Sequence, residues 1–244
     1  MELLKSGLAP QEVIAQLQRE DLAATHQIAL IDMKGRVAAS TGTSANGWKG
    51  HKVGENYSVQ GNILVGPQVI EAMAAAFERT KGLLAERLFA ALKAGDDAGG
   101  DKRGRQSAFL TVVRKGASVY GEPMVNIAVD DSRDPLKELR RLLDVQTAWN
   151  LGLQMQAPVG AGRFGEARAL GKRAVAIDPD NFVRVTLLGV VTYLDEDRAE
   201  ALSLLRRARQ LDDEHFKAWW EILRPVPVFK KLFDDKEFAR QVFR

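Results

Sequence analysis

The chain contains no cysteine. Disulfide staples, cysteine-ligated zinc and thiol catalysis are therefore all excluded. Histidine is nearly as scarce. His26, His51 and His215 are widely separated in sequence, so no histidine-rich metal site is expected and no cofactor is implied. No apolar run approaches the ~18 residues of a membrane helix, and the amino terminus lacks the apolar core of a signal peptide. As written, the chain reads as cytoplasmic, with no membrane partner. Neither sign of charge dominates: 35 basic residues face 32 acidic ones, a net +3. The basic residues mostly alternate with acidic ones on helical faces, as at Lys137, Glu138, Arg140 and Arg141. That pattern is a solvated helix surface and not a nucleic-acid track.

What is present suffices for an ordinary globular protein. With 244 residues, 45% of them hydrophobic, the chain has room for one large or two modest domains and needs no staples. The first half mixes helix and strand. Pro10 to Leu17 has Val13, Ile14 and Leu17 on one side, as in a short helix. Ile28 to Ile31 reads as a buried strand, turned by Asp32-Met33-Lys34-Gly35 into a second strand over Arg36 to Ser40. Tyr57 to Leu64 is extended, with a bend or bulge at Gly61-Asn62. Val69, Ile70, Met73 and Phe77 mark one helical stripe; Leu84, Leu88, Ala91 and Leu92 mark the next. Ala108 to Val113 and Met124 to Val129 are apolar on both faces, which predicts strands covered above and below. The polar link around Gly116 and Gly121 makes them an antiparallel pair. Pro135 then opens a helix through Leu136, Leu139, Leu142 and Leu143.

From about residue 146 the strand signals stop and a repeat begins. Glu166-Ala167, Ala174 and Asp178 recur as Glu200-Ala201, Ala208 and Asp212, a spacing of 34 residues that is the tetratricopeptide period. Trp219 fits the start of a third, truncated repeat. Pro225 and Pro227 interrupt it, and Val228 to Phe243 reads as one or two capping helices. Domains are therefore expected over 1–145 and 146–244, the second resembling a small tetratricopeptide array. Such an array either docks a peptide or protein partner or merely extends the core, and self-association into a homo-oligomer stays open.

The densest chemistry lies at 94–108, where Gly95, Gly99, Gly100 and Gly104 are interleaved with charged residues. Glycine opens backbone shapes closed to other residues, and the same stretch gathers Asp101, Arg103, Gln106 and Ser107. Other motifs carry less. Gly160-x-Gly162-x-x-Gly165 matches a dinucleotide fingerprint in letters, but lies among helices instead of after a strand. Asp130, Asp131 and Asp134 suit a strand end and helix cap better than a cation site. The hydroxyls of Ser40 to Ser44 have no histidine close in sequence, and His51, in a glycine-rich stretch, reads as an exposed loop residue.

The first half as a whole resembles a bacterial and archaeal family of unknown function grouped with the N-terminal nucleophile (Ntn) hydrolases. The matching residues include Leu3-Leu4-x-x-Gly7, Asp21, Gln27 to Asp32, Gly35 and Thr41-Gly42. They continue through Tyr57-x-x-Gln60-Gly61-Asn62-x-Leu64, Met73 and Ala85-Glu86-Arg87-Leu88. The signature Gly99-Gly100-Asp101-x-Arg103-Gly104-x-Gln106-Ser107-Ala108 follows, then Val129-Asp130-Asp131, Pro135 and Glu138-Leu139-x-Arg141-Leu142. His26 departs from the pattern, which has arginine there.

The resemblance implies an α+β, four-layer αββα sandwich with two stacked antiparallel sheets. It implies an amide (C–N) hydrolase acting on a small linear amide or a cell-wall peptide, since some relatives carry a peptidoglycan-binding module. The nucleophile of that class is an amino-terminal Thr or Ser whose α-amine, of pKa about 8, acts as base. No catalytic residue is identified within this chain. The nucleophile is expected upstream of Met1, on a strand pair that a longer reading frame is expected to recover. From residue chemistry, Asn62 is expected to donate to an oxyanion and Arg103 to bind a substrate carboxylate. Asp101, Gln106 and Ser107 complete the expected substrate-binding set, although Asp101 has the simpler option of pairing with Arg103 to hold the loop.

Overall fold

The computed structural model describes residues 2–19, 23–44, 46–113 and 125–244. Asp21 and the link around Gly116 and Gly121 lie outside them, as does Met124. The chain divides into two compact units, one of Met1–Val112 with Asn126–Leu139, the other of Val113–Val125 with Arg140–Arg244.

The first unit opens with helices α1 (Glu2–Lys5) and α2 (Pro10–Leu17). Proline at the first position of α2 needs no N–H partner, and the Glu12 carboxylate accepts the Ala9 N–H at 2.6 Å. Strands β1 (Gln27–Ile31) and β2 (Val37–Thr41) form an antiparallel hairpin in the register Gln27↔Thr41 to Ile31↔Val37. Asp32 Oδ1 sets the turn by accepting the N–H groups of Lys34 and Arg36, both at 2.9 Å, while Gly35 adopts φ 77. β1 is not the buried strand its composition predicts: none of its residues is fully buried, and Ile31 is 54% exposed.

Strands β3 (Trp48–Gly54) and β4 (Tyr57–Leu64) pair antiparallel. β3 has no sequence signal, since its two glycines and two lysines leave no apolar alternation. Between the pairs Trp48↔Leu64 and Gly50↔Gly61 the register shifts. Ile63 takes φ 56 there, so the Gly61-Asn62 signal is a β-bulge. Helices α3 (Gln68–Arg79) and α4 (Leu84–Asp97) follow. Val69, Ile70, Ala74 and Phe77 of α3 pack with Tyr57, Val59 and Leu64. The Tyr57 and Phe77 rings stand 4.9 Å apart, and the Arg87 guanidinium covers Phe77 at 4.0 Å. Burial, reinforced by its hydrogen bond to Glu78, pushes the Tyr57 phenol up to about 12.

Strands β5 (Ala108–Val112) and β6 (Val125–Val129) form a third pair. Their apolar sequence predicts cover on both faces, and the structure corrects this. Leu110 and Val129 are buried, but Phe109 is 63% exposed, so burial alternates along β5. The described strands thus make three two-stranded sheets.

Helix α5 (Pro135–Gln154) begins in the first unit, where Asp134 Oδ1 caps it by accepting the Lys137 N–H at 3.2 Å. The second unit is otherwise α6 (Gln156–Gly160), α7 (Phe164–Ile177), α8 (Phe182–Leu194), α9 (Arg198–Leu211) and α10 (Asp213–Leu223). A 3-10 turn (Pro227–Phe229), α11 (Lys230–Asp234) and α12 (Lys236–Phe243) complete it. The glycine triplet at 160–165 falls at the end of α6 and the start of α7. Side-chain caps start α8, α9, α10 and α12: Asn181, Asp197, Asp212 and Asp235 accept N–H groups two or three residues on. Successive helices pack α7 on α8, α8 on α9 and α9 on α10. Ala167, Ala201, Leu205 and Ala208 are fully buried between them. A Cβ at Gly189 would sit 2.8 Å from Leu205 Cγ, so α8 and α9 can approach this closely only with glycine there. Among the described residues, no helix is long and apolar enough to cross a membrane.

Candidate functional site

Helix α4 runs on to Asp97, so the loop expected from residue 94 begins four residues later. Its helix stop is local chemistry. Gly99 takes φ 111, and the Gly100 N–H returns to the Gly95 carbonyl at 3.0 Å, the closure of a Schellman motif. Beyond the stop the chain is stitched to the end of β4. The Val65 N–H donates to Gly100 O at 3.1 Å and the Lys102 N–H to Ile63 O at 2.9 Å. Farther along, the Ser132 N–H donates to Gln106 O at 2.8 Å. A glycine-rich segment is thereby held at both ends.

This loop walls a cavity of about 780 Å³ in the first unit. Asp101, Arg103, Gln106 and Ser107 all line it, with Leu64, Val69, Met73 and Leu136 as its apolar floor. Asp101 and Arg103 are paired, Nε to Oδ1 at 3.0 Å and Nη2 to Oδ2 at 2.7 Å. The guanidinium holds the Asp101 carboxyl below the usual carboxylate range, aided by the Arg103 N–H. The reverse effect raises Arg103. Arg103 nevertheless stays 69% exposed, and a guanidinium has five donors, so the pair leaves donors for a ligand.

Asn62 is not among the cavity-lining residues. Its amide donates to Gln27 Oε1 at 3.3 Å, within a second polar cluster. There Gln27 Nε2 faces three acceptors, Thr41 Oγ1, Gly50 O and Gly61 O, each at 3.0 Å. His51, a strand residue of β3 and not a loop residue, places Nδ1 2.9 Å from Thr41 Oγ1. This cluster ties hairpin β1–β2 to hairpin β3–β4.

Residues 1–139 match the model of a family described as a family of unknown function, DUF1028. The chain belongs to this family. A crystal structure of protein SPO2555 from Silicibacter pomeroyi, given under the same DUF1028 model, is similar at 27% identity with a TM-score of 0.52. The match covers 60% of this chain and 64% of that one, so the chain spans just under two thirds of that relative. No curated protein matches it.

Within the DUF1028 segment, three charged residues outside the expected substrate-binding set also line the cavity: Asp96, Arg105 and Asp131. Arg105 Nε donates to Asp96 Oδ1 at 2.6 Å, which raises the guanidinium further. Asp96 sits on the last turn of α4 and Arg105 on the loop, so only the fold brings them together. Asp131 carries a weak signal, as the second of two aspartates ending a strand. The cavity wall thus offers two ion pairs, a further carboxylate, two carboxamides (Gln60 and Gln106) and a hydroxyl, alongside loop backbone that Gly104 leaves uncovered.

Proposed function

We propose that the first unit is an Ntn-hydrolase-like domain whose loop cavity receives a small linear amide, free or within a cell-wall peptide, for C–N hydrolysis. One observation carries this reading: four of the five residues singled out in the sequence, Asp101, Arg103, Gln106 and Ser107, line a single cavity. Its size falls in the range of roughly 300–1,000 Å³ typical of small-molecule sites. The chemistry on its wall suits an amide with polar ends. The Gln106 carboxamide both donates to and accepts from a peptide group, the outer donors of Arg103 suit a carboxylate, and Asp131 suits an ammonium. In the reaction, water adds its oxygen to the amide carbon, the C–N bond breaks, and the nitrogen leaves carrying a proton. The hydrolase class rests on the family resemblance and not on a nucleophile in this cavity, where none is assigned.

The test pairs binding with turnover. The full chain is titrated with N-acyl amino acids and muropeptide fragments by calorimetry, and free amine is followed in parallel. Saturable binding with amine release supports the reading. Saturable binding without release limits the domain to a receptor, and absence of binding by every amide refutes it.

We further propose that the second unit is a tetratricopeptide-like array serving as a docking surface for a peptide or protein partner. The starts of α7 and α9, Phe164 and Arg198, are 34 residues apart. Ala167 and Ala201, at the same spacing, are both fully buried, as the close helix contacts of that repeat require. Capture of a partner by the full chain, lost when charged residues replace exposed ones on the array, is the test of this reading.

A further inference from the structure

Arg184 stands in the first turn of α8 and is only 6% exposed. Among the described residues it forms no ion pair. Its Nε is buried without a hydrogen-bond partner, and its one close companion is the face of Trp149, 5.1 Å from the guanidinium. Burial pushes the guanidinium down from its usual range, opposed only by the charge of Asp178. Its position on the helix makes matters worse, because the amino-terminal end of a helix is positive and repels a cation. A buried charge with no hydrogen-bonded counter-ion and no favourable dipole is costly. Other arginines of this unit are paired: Arg168 engages Asp195, Asp197 and Glu200, and Arg198 engages Asp235.

Arg184 lines a cavity of about 410 Å³ within the second unit, and among the described residues it is the only charged one lining it. The rest of the wall is almost wholly apolar, with Trp149, Val159, Leu187, Trp219 and Phe229 prominent. Trp149 is 51% exposed, which leaves one side of this cavity open to solvent.

We infer that this cavity binds a small apolar monocarboxylate, with the carboxylate on Arg184 and the aliphatic or aromatic body against Trp149, Trp219 and Phe229. A carboxylate there satisfies the guanidinium and gains from the positive end of α8, while the body removes apolar wall from water. A single guanidinium suits one carboxylate, and the absence of other charged lining residues argues against a second charge on the ligand. The site lies in a different unit from the amide cavity and does not rest on the function proposed for it.

Calorimetry on the full chain with decanoate, decan-1-ol and acetate separates the two ends of the ligand. Decanoate, below its micelle concentration, is expected to saturate one site, with decan-1-ol and acetate each weaker by at least about tenfold. Arg184→Met is expected to abolish the preference for decanoate over decan-1-ol, and Arg184→Lys to keep much of it. The inference is overturned if decan-1-ol equals decanoate, if decanoate shows no saturable binding, or if folded Arg184→Met still prefers the acid. Should Arg184→Met fail to fold, the three-ligand comparison on the unaltered chain decides the matter by itself.

Discussion

Asp101 and Arg103 lie two residues apart, yet their side chains close a two-point pair, and the Arg103 backbone N–H adds a third bond to Asp101 Oδ1 at 2.8 Å. The pair fixes the middle of the loop that the Gly99 turn begins. The shape of the cavity wall therefore depends on a local electrostatic clamp as well as on packing.

Replacing Asp101 with Asn should loosen that clamp. The pair is partly exposed, so the stability cost is expected to be small, about 0.5–1 kcal/mol in denaturant titrations. The effect on amide binding should exceed the effect on stability. Its pH dependence has a definite sign. The folded carboxyl titrates below its unfolded value, so its contribution is full above about pH 4 and disappears as the pH falls through the lowered folded value. The gap in stability between the unaltered chain and Asp101→Asn should therefore close in acid.

Gly99→Ala probes the turn that starts the loop. At φ 111 a side chain is strained, and a Cβ would meet Val65 Cγ2 at 2.6 Å. A loss of about 1–3 kcal/mol in thermal or chemical unfolding is expected, with weakened binding at the amide cavity. Gly104, where a Cβ meets nothing within 4 Å, should lose less from the same change, since only its φ of 100 is unfavourable.

In the second unit the comparable clamp is Asp235. Its carboxylate accepts from Arg198, from the Phe238 N–H at 2.9 Å and from the Tyr193 hydroxyl at 2.7 Å, and these bonds hold it well below the usual range. Asp235→Asn should cost about 1–3 kcal/mol at neutral pH, as expected for losing charge-assisted bonds and weakening a cap. That difference should persist down to about pH 4 and shrink below it, as the carboxylate of the unaltered chain takes up its proton. Urea titrations of both chains across the acid range measure it.

Local rules made much of this legible in advance. Pro10, the Asp32 to Gly35 turn, the stripes of α3 and α4 and the 34-residue alanine spacing each announce an element through short-range chemistry. Relationships made by folding were not legible. Asp96 and Arg105 meet because a helix end and a loop converge, and Asn62 meets Gln27 across 35 residues. Apolar composition misled at β1 and β5, where Ile31 and Phe109 read as core but are exposed. Arg184 is the opposite case. A polar residue in the first turn of a helix reads as solvated, and only folding, which sets it over the Trp149 ring, makes it buried.

Amide chemical-shift mapping during titration with an N-acetyl dipeptide tests the central claim most directly. Binding at the loop cavity predicts saturable shifts concentrated at Gly99 to Ser107 and Asp131, abolished or weakened at least about tenfold in Gln106→Ala. Shifts that never saturate, or that cluster away from this loop and persist unchanged in Gln106→Ala, would contradict it.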